Sequence, residues 1–387
     1  MQQEDPYRNH GLVVVDPVVQ QQQQPNPPGR RMFLHIGPHK SATTTIQCAL
    51  HQYAPMLRNK DSMVYLGKFD PAFCGGGGGG SSSGGEKQDE RIRKIDQCVR
   101  DNEECWGPLI EEWKQHGKKG MDMILSKESL SDWTSNDHSD ASYRSFFWSR
   151  MATALHGWNV TVLVTYRRYF EWLPSAYTQH LYHTQIQKNA PWPDAVLPTF
   201  AQFLEDVLES RRPPPYPYLD TMLQFKFPTN WNVRVLNLHN TNHAIVETLL
   251  CEVFQARNTC NSYQEIAPKR TSPSDALFYD RLNVQANLWG WLSGGRRFAR
   301  MKATRRFVEQ HLSNIDVPKE CPDRALLARF LERSLALEQQ ILVGHGGDHR
   351  IDQRHDFWNS TDRFCTPNAS SVLLQESKRW KEFYDSL

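Results

Sequence analysis

The sequence predicts a three-layer α/β fold in which a central parallel sheet is flanked by helices. Short apolar and β-branched runs at 32–36, 121–125 and 160–165 have the length and composition of strands buried on both faces. Segments with the apolar spacing of helices lie between these runs. Strands that alternate with helices along a chain are typical of a parallel sheet covered on both sides.

The chain divides into a lead and one domain. Residues 1–31 are rich in Gln and Pro, a composition that cannot build a core, so we expect a disordered lead ahead of a single domain at 32–387. The Gly/Ser-rich stretch at 75–85 is expected to be a flexible insertion. Strands are expected at 32–36, 62–67, 121–125, 160–165 and 232–238. Helices are expected at 44–57, 89–116, 143–155, 169–183, 200–209, 243–254, from 272 onward, 323–342 and 370–384.

The composition limits the partners. A formal net charge of +2 gives no global support for nucleic-acid binding. No run of 18 or more apolar residues is present, so we expect no membrane span in this chain.

The cysteines bear on the compartment. Eight cysteines are present, without the paired C-x-x-C spacing of a zinc site. The pairs closest to a disulfide pattern are Cys251 with Cys260 and Cys321 with Cys365. Together with three N-glycosylation sequons, the even count favours an oxidising lumen and a glycoprotein.

The first candidate site is the stretch Met32–Gln47, which reads as strand, tight turn and helix. The turn would aim backbone N–H groups and the positive end of the helix dipole at one point. Lys40 adds a full positive charge. Hydroxyl donors follow at Ser41, Thr43, Thr44 and Thr45. This pattern predicts an oxyanion site, although the same hydroxyls could instead serve as helix N-caps.

The loop does not have the G-x-x-x-x-G-K-[ST] spacing of an ATP- or GTP-binding loop. It resembles the 5′-phosphosulfate loop of sulfotransferases that use 3′-phosphoadenosine 5′-phosphosulfate (PAPS), whose core is Lys-Ser/Thr-Gly-Thr-Thr. Residues 40–44 match this core, with Ala42 in place of the glycine. We expect the Ala42 methyl group to require slightly more room near the phosphate.

The second candidate site pairs Arg167, at the end of a predicted strand, with Ser175 eight residues later. An arginine fork and a hydroxyl on the next helix suit a phosphate dianion. The pair resembles the 3′-phosphate site of the same family, and Tyr177 stands where the family has an aromatic residue. A structural salt bridge and a helix cap are the alternatives. Arg168 is left out, because it would point to the other face if the strand continued.

The resemblance implies a P-loop NTPase-like fold and an enzyme that transfers sulfuryl from PAPS to a hydroxyl of a carbohydrate or similar acceptor. An amine is the second choice of acceptor, and no metal is implied. Lys40 would assist departure of the leaving group. Either Glu128, just past a strand end, or His39 would accept the proton, and the two are not separated by spacing. The family implies the Golgi or secretory lumen, usually with an N-terminal anchor that this chain would lack. The cytoplasm is the alternative.

Two other functions remain as alternatives, a nucleotide kinase or NTPase and a non-catalytic nucleotide-binding module. A basic segment at 296–306 could hold a phosphate or an acidic glycan, or could be a solvated face. Trp172, Trp289 and Trp291 could stack on adenine or sugar, or pack in the core.

Overall fold

The structure is a computed structural model. It describes residues 29–38, 41–67, 106–127, 130, 141–184, 196–211, 218, 222, 227–239, 244–264, 273–292, 297–311, 317–344 and 353–387, with backbone only at 106, 141–146, 179–184, 273–277, 297–301 and 342–344. The insertion predicted at 75–85 and residues 1–28 of the predicted lead lie outside this part of the chain.

Five parallel strands form the central sheet in the order β2-β3-β1-β4-β5. They are β1 (Arg31–His35), β2 (Met63–Tyr65), β3 (Asp122–Ser126), β4 (Asn159–Tyr166) and β5 (Asn232–Asn237). β1 lies at the centre, where Phe33 is in register with Ile124 of β3 and Thr161 of β4.

Helices cover both faces of the sheet. The helices are α1 (Thr43–Lys60), α2 (Trp106–Lys118), α3 (Ala141–Ala154), α4 (Tyr169–Thr184), α5 (Phe200–Leu208), α6 (Ile245–Glu247), α7 (Arg257–Asn261), α8 (Pro273–Leu288), α9 (Arg297–His311), α10 (Arg324–Gly344), α11 (Gln353–Trp358), α12 (Ala369–Gln375) and α13 (Ser377–Asp385). A π-helix (Thr248–Val253) continues α6, and a 3₁₀ turn (Thr361–Phe364) follows α11.

The central strands are mostly apolar or β-branched because both of their faces are buried. Met32 and Leu34 of β1 belong to the larger core cluster, which also contains side chains from α2 to α5 and α10. Phe33 points to the opposite face and packs with Ile46 and Leu50 of α1 and with the π-helix. The predicted central parallel sheet with helices on both faces is therefore confirmed.

The C-terminal part adds features that the sequence did not predict. Helix α9, α11, the 3₁₀ turn and a two-stranded sheet of β6 (Lys319–Glu320) and β7 (Thr366–Pro367) were not expected. The helix expected at 370–384 is two helices, because Glu376 leaves the helical conformation at φ −134° and ψ 50°. Both disulfides suggested by the cysteine pattern form, Cys251–Cys260 and Cys321–Cys365.

Candidate functional site

The two candidate clusters follow neighbouring strands. From β1 the chain builds β2 and β3 on one side of the sheet, and it then builds β4 and β5 on the other side. The carboxyl ends of β1 and β4 therefore meet at the point where the strand order reverses, which is where open α/β sheets bind their ligands. The lysine-threonine stretch follows β1, and Arg167 follows β4.

A hydrogen-bond chain joins the loop after β1 to the end of β4. The Ser41 hydroxyl is fully buried and donates to the Pro38 carbonyl at 2.5 Å. Its oxygen lies 2.6 Å from Thr165 Oγ1. Because the single proton of Ser41 is used on Pro38, Thr165 is the donor in this second bond. The Ser41 side chain therefore fixes the loop against β4, and only its backbone remains for the predicted cofactor contact.

Gly37 allows this close approach. A Cβ atom at position 37 would lie 2.3 Å from Thr165 Oγ1, closer than real side chains come, and 3.2 Å from the Thr43 methyl carbon, which is a tight contact. A larger residue would therefore have to displace the Thr165 side chain, which bonds to Ser41. The glycine in the motif is thus required by packing between two strands.

Ala42 occupies the position where the family has glycine, and its backbone is left-handed, with φ 58° and ψ 14°. A non-glycine residue in this region costs about 1–2 kcal/mol relative to an ordinary conformation. The sequence suggested that Ala42 would matter through the room its methyl group needs. The structure gives a different reason for glycine at this position, namely backbone freedom.

The first turn of α1 is not capped by a side chain. Ala42 is the N-cap residue and offers no hydroxyl, so the capping alternative for the threonines does not apply in this structure. Thr43 is buried, Thr45 half-buried and Thr44 exposed. The first intrahelical bond runs from the Ile46 N–H to the Ala42 carbonyl. The N–H groups of the preceding turn can therefore act as donors to an oxyanion.

His39, Lys40 and Glu128 lie outside the described residues, so their predicted roles remain predictions. The chain on either side of them is placed. The Lys127 N–H donates to the His35 carbonyl at 3.0 Å, which joins the end of β3 to the end of β1. The two stretches that carry these residues, one after β1 and one after β3, therefore leave the sheet at the same edge.

Arg167 and Ser175 lie together, as the sequence predicted. Arg167 Nη1 donates to Ser175 Oγ at 3.2 Å. Arg167 Nε also lies 3.5 Å from Glu171 Oε2, so the salt-bridge alternative is realised as well. Ser175 is not a helix cap, because it lies inside α4 and donates to the Glu171 carbonyl at 3.3 Å.

Arg168 belongs to the same ionic cluster. β4 ends at Tyr166, so the alternation of a strand does not carry Arg168 to the opposite face. Its buried guanidinium lies 2.7 Å from Asp356 and 3.9 Å from Glu171. Sequence reasoning missed this residue, together with Asp356 and His239, because its partners come from distant parts of the chain.

His239 is held neutral in this cluster. Its Nε2 accepts the Arg168 N–H at 3.1 Å, which only an unprotonated nitrogen can do. Burial lowers the pKa of His239 to about 4; Glu171 opposes this effect, and the neighbouring arginines add to it.

We expect His239 to make the protein acid-sensitive. As pH falls below 6.5, the unfolded chain binds a proton at this position, whereas the folded chain binds it only near pH 4, so stability decreases through this window. The replacement His239→Gln should reduce the slope of the unfolding free energy against pH by up to about 1.4 kcal/mol per pH unit, which is the contribution of one proton. Urea titrations between pH 4 and 7 measure this, with the exposed His156→Gln as control. Equal pH slopes for the His239 variant and the wild type would contradict the assignment.

Other predicted residues lie in the core. His35 is buried, with Nδ1 2.7 Å from Ser126 Oγ. Trp172 is fully buried against Tyr169 and does not face a crevice. Tyr177 is also buried; its hydroxyl donates to the Pro198 carbonyl and accepts from Arg281. These side chains are therefore part of the packed interior and are not exposed to a ligand.

The remaining candidates belong to the C-terminal part. Trp289 and Trp291 pack with α12 and α13 in a separate core cluster. The basic segment at 296–306 falls largely on α9, which packs against α8. Lys302, Arg305 and Arg306 are exposed there, and Arg305 pairs with Glu309 at 2.7 Å.

The fold and site define an α/β protein with a five-stranded parallel sheet and an ionic cluster near its switch point, formed by Arg167, Arg168, Glu171, Asp356 and His239. Comparison of the chain with family models, with curated proteins and with solved structures gave no match.

Across the described part of the chain, no helix combines the length and apolar character needed to cross a bilayer. Within the same part, no three His, Cys, Asp or Glu side chains gather as a metal site would require.

Proposed function

We propose that this protein is a PAPS-dependent sulfotransferase with a P-loop-like arrangement. One observation supports the proposal above all others: the two motifs that resemble the ends of a PAPS site follow adjacent strands and are joined through Ser41 and Thr165 at 2.6 Å. Residues 124 positions apart in the sequence thus meet where the two motifs leave the sheet.

The donor set fits a nucleotide with anionic groups at both ends. The uncapped first turn of α1 and Lys40 would hold the 5′-phosphosulfate. Arg167 and Ser175, already in contact at 3.2 Å, would hold the 3′-phosphate. PAPS would supply the activated sulfuryl group and needs no metal for this role.

The chain's own residues would manage charge and protons. The acceptor oxygen forms a bond to sulfur while the bond from sulfur to the bridging phosphate oxygen breaks. Lys40 would neutralise the charge that grows on that bridging oxygen. Glu128 or His39 would take the proton of the acceptor hydroxyl. The acceptor is proposed to be a carbohydrate hydroxyl, with an amine as second choice.

We place the reaction in the Golgi or secretory lumen. The disulfides Cys251–Cys260 and Cys321–Cys365 support an oxidising compartment, because such bonds are rare in the cytosol. The cytoplasm remains the alternative location.

The nucleotide kinase or NTPase is the second candidate, and ligand-induced stabilisation separates it from a sulfotransferase. We expect 3′-phosphoadenosine 5′-phosphate (PAP), the product of PAPS, to stabilise the protein by about 2.7 kcal/mol at a hundred times its Kd. ATP with Mg²⁺ at equal concentration should give a smaller rise in Tm. Thermal unfolding of the full chain measures both.

The variant Arg167→Ala identifies the site of the effect. Its melting temperature should no longer respond to the PAP concentration that stabilises the wild type. A larger stabilisation by ATP with Mg²⁺ would favour the kinase. PAP binding without transfer in an acceptor screen with labelled PAPS would favour a non-catalytic module.

A further inference from the structure

A third arginine, Arg363, lies beside the ionic cluster of Arg167 and Arg168. Its guanidinium carbon is 5.0 Å from the ring centre of Phe170 and 5.0 Å from that of Phe364. The residue is exposed, and its side chain has no ion-pair or hydrogen-bond partner among the described residues. An arginine fork held on aromatic rings and left without a partner is prepared for an external anion.

The neighbouring arginine is used differently. Arg168 is buried and is committed to Asp356 at 2.7 Å and to Glu171 at 3.9 Å. Arg168 therefore stabilises the cluster, and we do not expect its buried guanidinium to bind a ligand. Arg363 is exposed and Arg167 is half-exposed, with Ser175 and Glu171 already beside it, so an incoming group can reach both of these guanidinium groups.

The local charges also place Arg363 beside the other two arginines. Three guanidinium groups share this region with the carboxylates of Glu171 and Asp356, and Glu338 also interacts with Arg168. Partial desolvation of its guanidinium and the charges of Arg167 and Arg168 lower the pKa of Arg363, while Glu171 and Asp356 oppose this shift. Arg363 therefore lies close enough to Arg167 for their charges to repel each other, and an anion bound between them would relieve this repulsion.

The segment that carries Arg363 is firmly placed. The 3₁₀ turn Thr361–Phe364 ends in Phe364, which is fully buried and stacks on Phe200 of α5. The next residue, Cys365, is bonded to Cys321. The fold thus anchors a turn from near the C-terminus beside α4, where Phe170 lies three residues after Arg167.

We propose that Arg363 is a further ligand of the 3′-phosphate, which it would grip together with Arg167. The ligand class is a phosphate monoester on an adenosine nucleotide. The inference rests on the proposed function, because it adds a residue to the same nucleotide site. Two arginine forks match a phosphate dianion better than one, since each can donate two parallel N–H bonds.

Nucleotide titrations of the full chain test this assignment. The probes are PAP and adenosine 5′-phosphate, which lacks the 3′-phosphate. Arg363→Gln should weaken PAP binding about tenfold and leave binding of adenosine 5′-phosphate unchanged. Arg363→Lys keeps the charge without the fork and should give an intermediate loss, and it replaces the Gln variant in the test if that variant does not fold.

The matched control is Arg58→Gln, an exposed arginine near the far end of α1. It lies about 22 Å along the helix from the candidate loop, at 1.5 Å per residue, and should leave both affinities unchanged. An Arg363→Gln variant that binds PAP as tightly as Arg58→Gln would overturn the assignment while leaving the proposed function intact. An equal loss for both nucleotides would overturn the 3′-phosphate role. Absence of PAP binding by the wild type would overturn the proposed function and this inference together.

Discussion

Replacement of Cys321 and Cys365 by serine is expected to lower the free energy of unfolding by about 4 kcal/mol. The disulfide spans 44 residues, and the loss of chain entropy that it imposes on the unfolded state grows with this separation. The bond also connects the ends of β6 and β7, where Glu320 is in register with Thr366. Urea unfolding of the oxidised wild type and the double variant measures the difference.

The second disulfide provides a matched control. Cys251–Cys260 spans nine residues, so its removal should cost about 2.6 kcal/mol by the same relation. It joins the π-helix to α7 and does not border Arg363, so PAP affinity should be unchanged in this control. The Cys321/Cys365 variant, measured where it is still folded, should bind PAP more weakly, because the turn that carries Arg363 is released. Equal losses of stability for the two variants would contradict the loop-entropy account.

The central fold could be predicted because its signals are local. β1, β3 and β4 are buried on both faces and therefore appear as short runs of mostly apolar and β-branched residues. Such runs can be recognised without knowledge of the partner strand. The C-terminal part is different. α9 carries many charges and has no clear apolar face, and β6 and β7 have two residues each, too few for any pattern.

The candidate site could likewise be predicted only where its contacts are local in the sequence. Arg167 and Ser175 are eight residues apart, so their contact is encoded by a strand end and one helix. The partners of Arg168 could not be predicted in this way. The residue contacts His239, 71 positions away, and Asp356, 188 positions away, and only the packing of β5 and α11 brings them together. Arg363 was missed for the same reason.

The largest effect on turnover is expected from Lys40→Ala. Under the proposed function, Lys40 neutralises charge on the leaving oxygen, and loss of one such donor reduces kcat by about 10²–10³-fold. Position 40 lies between Pro38 and Ser41, whose hydrogen bond at 2.5 Å fixes both ends of this stretch. PAP affinity should fall much less than kcat, because the α1 amides and Arg167 would remain. Labelled PAPS, with a carbohydrate acceptor that the wild type modifies, measures turnover.

Lys60→Ala is the matched control, since it removes an exposed lysine from the last turn of the same helix and should leave turnover unchanged. Glu128→Gln and His39→Ala, tested separately, then distinguish the two candidate proton acceptors. The variant that loses most turnover, with PAP affinity intact and with a loss that shrinks at high pH, carries the acceptor. Lys40→Ala with wild-type turnover would rule out the proposed role of the loop, even if PAP still bound, because charge neutralisation at the leaving oxygen would then come from elsewhere.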